Sequence, residues 1–350
     1  MRALQSVAEL TPAWCTAALA RCTGGAAVAE VAATPLGTGQ MADTYRLRLS
    51  YETPDAGPPT CVVKLTAAAP ESRTAAKVTR AYEVEARFYQ HLAPRIRARI
   101  PRCYASCYDE QSRAFTVLLE DVGAGRAVDQ VEGCDSVQVD RAVDELAALH
   151  GPLWADPALA SLGWLPRHDG PDAAWMASLV RRVYPRFLRR FGDRLRPEVI
   201  DELDAFVPNV EQYLRDRPGP RTVVHGDFRA DNLVADRGRI TVLDWQTAAH
   251  EPAATDLSYF LGASVDVAMR REIEHSAVRR YVAALSRHGV TVSVDDCWRD
   301  YRRYAFGGLF MSIVGSTLVT RTERGDDMFA TMTNRHGMHA ADLGSRSFLR

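Results

Sequence analysis

Hydrophobic and polar residues alternate in the first third of the chain in a way that predicts β-strands. Residues 28–36 and 43–51 are predicted to be strands, and the second of them alternates with a two-residue period. The apolar runs 61–65 and 115–120 predict two further short, buried strands. Between these runs, residues 72–98 have the spacing of a helix with one apolar face. The N-terminal part is therefore expected to be rich in strands.

The pattern changes to long helical segments beyond Gly123 and Gly125, which mark a linker. Helices are predicted over residues 136–150, 173–191, 197–214, 256–288 and 296–320, interrupted only by strands at 222–226 and 239–245. We therefore predict an α+β fold with a small lobe built on an antiparallel sheet, residues 1–122. A larger, mostly helical lobe is expected over residues 123–350.

The composition is that of an ordinary globular chain and excludes several classes of function. Hydrophobic residues make up 47% and charged residues 25% of the 350 positions, and the net charge is −1. This charge offers no basic surface for nucleic acid, and no apolar run reaches the roughly 18 residues of a membrane span. The seven cysteines are scattered without metal-ligand spacing. These features predict a cytoplasmic protein with reduced thiols that binds neither nucleic acid nor membranes.

Candidate chemistry concentrates in VVHGDFRADNLV, residues 223–234, where polar side chains lie between two pairs of apolar residues. Removing a carboxylate from water costs several kcal/mol unless it is paired or binds a metal. Asp227 and Asn232 are five positions apart, and Asp244 ends the next predicted strand. We expect one carboxylate to accept a proton from a hydroxyl, and the amide oxygen and second carboxylate to hold Mg²⁺.

A purely structural interpretation of the same segment is open as well. In it, Asp227 pairs with Arg229, and Asp231 caps a turn. Any one of these residues alone would favour that network. The spacing of Asp227, Asn232 and Asp244 together favours the catalytic interpretation instead.

The pattern H-G-D-x-x-x-x-N followed by L-D-W resembles a phosphotransferase superfamily with a bilobal, protein-kinase-like fold. This superfamily includes aminoglycoside phosphotransferases, choline kinases and ecdysteroid-kinase-like enzymes. With LGTGQMADTYRL, VLLEDV and DLSYFLG, the chain is most similar to the bacterial ecdysteroid-kinase-like branch over residues 30–335. The resemblance implies that Asp227 is the catalytic base, that Asn232 and Asp244 bind magnesium, and that His225 holds the loop. Trp245 departs from the Asp-Phe-Gly of protein kinases, which puts a kinase-style switch in doubt.

Lys64 is a second candidate, because only two of the 43 basic residues are lysines. It lies among apolar residues of a predicted strand, where an unpaired ammonium is unfavourable. Glu85 lies on the apolar face of the following helix, so we predict a Lys64–Glu85 ion pair. In kinase-like folds such a lysine contacts the α- and β-phosphates of ATP. In the alternative, the Lys64 ammonium reaches solvent at the strand end and Glu85 is partly solvated.

Two further segments are candidates for nucleotide binding. Gly37 and Gly39 have the spacing of a hairpin that covers phosphates, although Ala42 stands where G-x-G-x-x-G has its third glycine. The segment from Leu119 to Val122, which includes Glu120, is expected to present backbone groups to adenine. The predicted cofactors are therefore ATP and Mg²⁺.

The sequence predicts a phosphotransferase that transfers the γ-phosphate of ATP to a hydroxyl of a small molecule. From residue 251 onward the sequence contains twelve acidic residues and thirteen arginines. A binding site for a polycationic aminoglycoside would be expected to show an excess of acidic residues, and none is present in this count. A neutral or partly apolar alcohol is favoured, and an antibiotic stays open. The alternatives are a kinase-like module that binds nucleotide or ligand without turnover and, ranked last, a protein kinase. Asp256, at the start of DLSYFLG, is expected to be an N-cap.

Overall fold

The computed structural model describes residues 2–37, 41–123, 125–170, 172–319 and 321–349. They form two compact units. The first comprises Met1–Arg95, Ile100–Ala124 and Leu243–Thr247, and the second comprises Ile96–Arg99, Gly125–Val242 and Ala248–Arg350. The short segment Leu243–Thr247 therefore belongs to the first unit, although it lies far along the chain from the rest of that unit.

A five-stranded antiparallel sheet forms the centre of the first unit, in the order β1-β2-β3-β5-β4. Its strands are β1 (Val28–Pro35), β2 (Ala42–Tyr51), β3 (Thr60–Thr66), β4 (Cys103–Tyr108) and β5 (Phe115–Glu120). On β3, Cys61, Val63 and Leu65 are buried in one core together with residues of helix α1 (Pro12–Thr23). Since side chains alternate along a strand, Lys64 lies on the other face of the sheet.

The helical conformation predicted over residues 72–98 is confirmed up to Arg95, but it is divided into several elements. The chain forms α2 (Pro70–Thr79) and α3 (Ala81–Arg87), followed by a π-helical turn and a 3₁₀ turn. Arg80 separates α2 from α3 because its φ of 58° lies in the left-handed region, which cannot continue an α-helix. Glu85 keeps its predicted helical position, on α3.

Helices dominate the second unit. They are α4 (Ser136–His150), α5 (Asp172–Phe191), α6 (Pro197–Arg215), α7 (Ala254–Ser264), α8 (Val267–Ser286), α9 (Val294–Arg303), α10 (Gly307–Leu318) and α11 (Glu323–Asp342). Two small sheets accompany them: β6 (Arg126–Ala127) with β8 (Leu233–Asp236) and β9 (Arg239–Val242), and β7 (Arg221–Val224) with β10 (Ala249–Pro252). All their pairings are antiparallel.

Two of the long predicted helices are each divided. The one over 256–288 breaks between α7 and α8, where the Asp266 side chain caps α8 by accepting the Ala268 N–H. The one over 296–320 is interrupted by a 3₁₀ turn at Tyr304–Phe306. Helix α11 was not predicted at all, because its buried face carries polar residues such as Arg335, His336 and His339.

The predicted α+β fold is confirmed, with an antiparallel sheet in the first unit and a mostly helical second unit. No helix within the described ranges is both long and apolar enough to cross a membrane.

Candidate functional site

In the first unit, Lys64 places its ammonium between two carboxylates. Its Nζ lies 2.7 Å from Glu85 Oε1 and 2.6 Å from Asp244 Oδ1. The predicted Lys64–Glu85 pair is confirmed, and the solvated alternative is wrong because these side chains are only 12% and 1% exposed. The contact with Asp244 was not predicted.

The two carboxylates keep Lys64 charged. Burial lowers the pKa of this ammonium, but the negative charges of Asp244 and Glu85 and their hydrogen bonds outweigh that effect. The net result is a raised pKa. A fixed positive charge of this kind attracts phosphate oxygens.

Asp244 belongs to a short segment anchored by the residue that follows it. Trp245 is fully buried and stacks on Phe88, with ring centroids 4.0 Å apart and an interplanar angle of 5°. Asp244 itself has a φ of 64°, unusual for a residue other than glycine. Its Oδ2 accepts a hydrogen bond from Gln246 Nε2 at 3.1 Å, and its side chain is 31% exposed. The anchored segment thus presents a partly exposed carboxylate beside Lys64.

In the second unit, the loop between β7 and β8 holds Asp227 and Asn232 together. Asn232 Nδ2 donates to the Asp227 carbonyl oxygen at 2.8 Å and to Asp227 Oδ2 at 3.1 Å. The amide nitrogen is thereby used, while no residue in the described ranges donates a hydrogen bond to Asn232 Oδ1. An amide oxygen of this kind is a ligand type that Mg²⁺ accepts.

The Asp227 carboxylate has two further donors. Arg229 Nε lies 3.2 Å from Oδ1 and 3.1 Å from Oδ2, and the Tyr259 hydroxyl donates to Oδ1 at 2.8 Å. The Asp227–Arg229 contact of the structural interpretation is therefore present as well. Asp231 does not cap a turn of its own segment but accepts the Gln130 N–H at 3.0 Å. Asp227 remains 19% exposed, so its carboxylate is held without being sealed from solvent.

Asp256 has a role that sequence reasoning missed. The prediction of an N-cap is wrong, since Ala253 is the N-cap of α7 and Asp256 lies inside the first turn. Its buried carboxylate accepts the N–H groups of His225 at 2.6 Å and Gly226 at 2.9 Å. His225 Nδ1 in turn accepts the Asp227 N–H at 3.2 Å. Asp256 and His225 therefore hold the backbone that leads into Asp227.

The remaining predicted positions are those proposed for nucleotide binding, namely Gly37, Gly39, Glu120 and Val122. Gly37 has a φ of 70°, which suits a turn, whereas Gly39 lies outside the described residues. The N–H of Glu120 is occupied by the Arg102 carbonyl oxygen at 2.8 Å. Val122 follows the end of β5, and its backbone groups make no hydrogen bond with any other part of the chain that the structure describes.

The oxygen atoms of Asn232 and Asp244 suit a hard cation that prefers oxygen ligands rather than a soft one. In the described ranges, no group of three or more His, Cys, Asp or Glu side chains forms a metal site. Asn232, in the second unit, offers an amide oxygen, and Asp244, in the first unit, offers a carboxylate. Each is the kind of oxygen ligand that Mg²⁺ takes alongside phosphate oxygens. The residues present are therefore chemically suited to Mg²⁺ in company with a phosphate.

Solved structures of known proteins share this fold. Choline kinase from Cryptosporidium parvum has a TM-score of 0.56 at 10% identity, with 90% of this chain and 89% of that chain covered. The GDP complex of aminoglycoside 2'-phosphotransferase-IIIa has a TM-score of 0.53 at 14% identity, covering 94% and 99%. ADP-bound aminoglycoside phosphotransferase APH(2'')-Ib has a TM-score of 0.50 at 16% identity, covering 89% and 95%.

The sequence comparisons point to one family. A search of curated proteins found no significant match. The model of the phosphotransferase enzyme family, in contrast, matches residues 32–306, which is most of the chain and includes Lys64, Asp227, Asn232 and Asp244. The chain belongs to the phosphotransferase enzyme family.

Proposed function

We propose that this protein transfers the γ-phosphate of ATP to a hydroxyl group of a small molecule in a Mg²⁺-dependent reaction. The observation that carries the proposal is the buried ammonium of Lys64, held charged between Glu85 and Asp244 in a member of a phosphotransferase family. Structural relatives are described with ADP and GDP, which supports a nucleotide as the phosphate donor.

Asp227 is the proposed catalytic base. Its carboxylate would accept the proton of the attacking hydroxyl, and its hydrogen bonds to Asn232, Arg229 and Tyr259 fix its orientation. The attack would be in line with the bond between the γ-phosphorus and the leaving oxygen of ADP. That bond breaks as the new phosphate ester forms.

The phosphates of the nucleotide are proposed to be bound by Lys64 directly and by Asn232 and Asp244 through the metal ion. Lys64 would contact the α- and β-phosphates, and Glu85 would keep the ammonium in place. Asn232 and Asp244 would hold Mg²⁺, which neutralises charge on phosphate oxygens when it is bound.

Backbone groups are proposed to bind the rest of the nucleotide. Gly37 and Gly39 would cover the phosphates, and the segment from Glu120 to Val122 would contact adenine. The Val122 peptide groups support this role best, because no described part of the chain occupies them. Glu120 can offer its carbonyl oxygen only, since its N–H is already used within the sheet.

The proposed acceptor is a neutral or partly apolar alcohol, as in the ecdysteroid-kinase-like branch. The near balance of acidic residues and arginines from residue 251 onward supports this choice over a polycation. Aminoglycosides and choline are the natural competitors, because structural relatives are named for them.

A panel of acceptors tests the function directly. ADP release from MgATP would be followed with sterols, simple alcohols, choline and aminoglycosides, each with and without EDTA. We expect one class of alcohol to accelerate ADP release, and EDTA to abolish it. A protein that binds MgATP but releases no ADP would instead be a binding module. This outcome requires that no acceptor of the panel, and no slow hydrolysis by water during a long incubation, produces ADP.

A further inference from the structure

One face of the five-stranded sheet carries Lys64, and a second ion pair lies farther along that face. Side chains alternate along a strand, so Val62 and Lys64 share the face of β3 that is opposite to the buried core. The strand register places Arg46 of β2 directly across from Val62, and residues paired in this way point to the same face. Arg46 and Lys64 therefore lie on one face of the sheet.

Arg46 reaches across β3 to the segment that follows β5. Its Nε lies 2.8 Å from Asp121 Oδ2, and its Nη2 lies 3.2 Å from Asp121 Oδ1. Strands β2 and β5 are the two neighbours of β3, so their backbones are roughly 10 Å apart and the arginine side chain spans this gap. Two hydrogen bonds from one guanidinium fix the direction of a carboxylate as well as its distance. The Asp121 side chain is only 8% exposed, which limits screening of the pair by solvent.

The Asp121 carboxylate also controls the backbone around Val122. Its Oδ1 accepts the Gly123 N–H at 3.0 Å, which closes a tight turn with Val122 in the middle. A Cβ at Gly123 would lie 2.5 Å from Arg46 Nη2 and 2.7 Å from Asp121 Oδ1, so a side chain there would displace the pair. Asp121 thus holds the peptide groups on both sides of Val122, and Arg46 holds Asp121.

We propose that Arg46 is a positioning residue for the base of the nucleotide. It acts through Asp121, whose contact with Gly123 sets the direction of the Val122 peptide groups. The inference rests on the proposed function, in which those groups contact adenine and Lys64 contacts the phosphates. Because the segment is already held before the nucleotide arrives, less conformational freedom is lost on binding.

The substitution Arg46→Met tests the proposal, because it keeps an apolar stem and removes the guanidinium. Isothermal titration calorimetry with Mg²⁺ measures the affinity for two probes: the ATP analogue AMP-PNP, which has a base, and inorganic tripolyphosphate, which has none. We expect Arg46→Met to bind AMP-PNP about tenfold more weakly than the parent, the effect of losing one charged hydrogen-bonding contact. Its affinity for tripolyphosphate should change little, since Lys64 and the proposed metal ligands are intact.

Arg48→Met is the matched control. Arg48 lies two residues farther along the same strand and on the same face, and no carboxylate in the described part of the chain pairs with it. The substitution removes the same charge, so it corrects for the general attraction between a cation and phosphates. We expect Arg48→Met to bind AMP-PNP about tenfold more tightly than Arg46→Met does, and to bind tripolyphosphate equally well.

A double-mutant cycle shows whether Arg46 acts through Asp121. Asp121→Ala breaks the pair from its other side and should also weaken the binding of AMP-PNP alone, so it serves as the test if Arg46→Met does not fold. The variant with both substitutions should bind AMP-PNP about as weakly as Asp121→Ala, because without the carboxylate the guanidinium has nothing to position. Losses that add in the double variant would overturn the inference.

Two other results would overturn the inference and leave the proposed function in place. One is an equal affinity of the parent, Arg46→Met and Arg48→Met for AMP-PNP. The other is an equal loss of affinity for both probes in Arg46→Met, because a residue that positions the base does not weaken a ligand without one. A parent protein that binds neither probe would contradict nucleotide binding itself, and with it both the proposed function and the role of Arg46.

Discussion

Three observations single out Lys64: lysine is rare in this chain, the residue lies in an apolar strand, and it contacts two carboxylates. In a chain that otherwise uses arginine, a lysine remains at a position where one compact ammonium contacts two carboxylates from different elements. Glu85 is almost fully buried, so it depends on this ammonium more than Asp244 does. Removing the ammonium would leave a buried carboxylate without a counter-charge.

We expect Lys64→Ala to lower the free energy of unfolding by about 3–5 kcal/mol, the usual cost of an unpaired buried charge. Adding Glu85→Gln should recover part of that loss, because the neutral amide needs no counter-ion. Urea unfolding of the two single variants and the double variant measures both effects. Lys77→Ala changes the other lysine, which is exposed on α2, and should cost less than about 0.5 kcal/mol. Equal stability of the two alanine variants would contradict this account of Lys64.

Some contacts of Lys64 and Asp227 can be predicted from the local sequence, and others cannot. Helical spacing places Glu85 on the apolar face of its helix, so its pairing with Lys64 could be predicted. Asp244 is 180 positions from Lys64, and no periodicity encodes a contact over that separation. For the same reason the Tyr259–Asp227 hydrogen bond could not be foreseen.

Among the elements, α7 does more than its short apolar sequence suggests. An aspartate at the start of a helix is usually a cap or a partner of the helix dipole, and the sequence favoured that assignment for Asp256. In the structure its carboxylate instead accepts two N–H groups from the loop before Asp227 and contacts His150 Nε2 at 3.2 Å. The difference arises because burial of the helix start is a property of the tertiary fold.

Replacing the two aspartates at helix starts, Asp256 and Asp266, should therefore lower the free energy of unfolding by very different amounts. Asp256→Ala leaves the buried N–H of His225 and the partly buried N–H of Gly226 without an acceptor, and we expect a loss of about 3–5 kcal/mol with a displaced loop. Asp266→Ala removes an exposed cap of α8, which typically costs about 1 kcal/mol. Chemical denaturation of both variants gives the comparison. A loss for Asp256→Ala no larger than for Asp266→Ala would show that the loop does not depend on this carboxylate.

Element boundaries were the weakest part of the sequence prediction, for identifiable reasons. Arg80 takes a left-handed conformation that its residue type does not signal, so one predicted helix became two. Helix α11 hides a polar buried face, so its hydrophobic pattern is weak. The strands β1, β2, β3 and β5 were predictable because alternation and apolar runs are local signals.

For the molecule as a whole, the buried histidines of α11 connect stability to pH. His336 and His339 are fully buried, and a Cβ at Gly308 would collide with the His336 ring. Burial, followed by nearby arginines, lowers the pKa of His336 to about 3, and the pKa of His339 is also well below normal. The unfolded chain binds protons at these histidines below pH ~6.5, while the folded chain does not. Stability therefore falls as the pH drops from about 6.5 toward 3.

Replacing His336 with leucine should flatten this dependence. One fewer histidine takes up a proton on unfolding, so between pH 6.5 and 4 the slope should fall by about 1.4 kcal/mol per pH unit. Unfolding free energies measured across that range provide the test. Parallel curves for parent and His336→Leu would mean that His336 binds its proton equally in both states.

The central claim is that this phosphotransferase-family protein uses Asp227 as the base that activates a hydroxyl. The most direct measurement compares ADP release from MgATP by the parent and by Asp227→Asn, with the best acceptor of the panel and with unfolding free energies measured in parallel. We expect the variant to fold with similar stability and to turn over about 10²- to 10⁴-fold more slowly. A folded Asp227→Asn protein that releases ADP at the parent rate would contradict the claim.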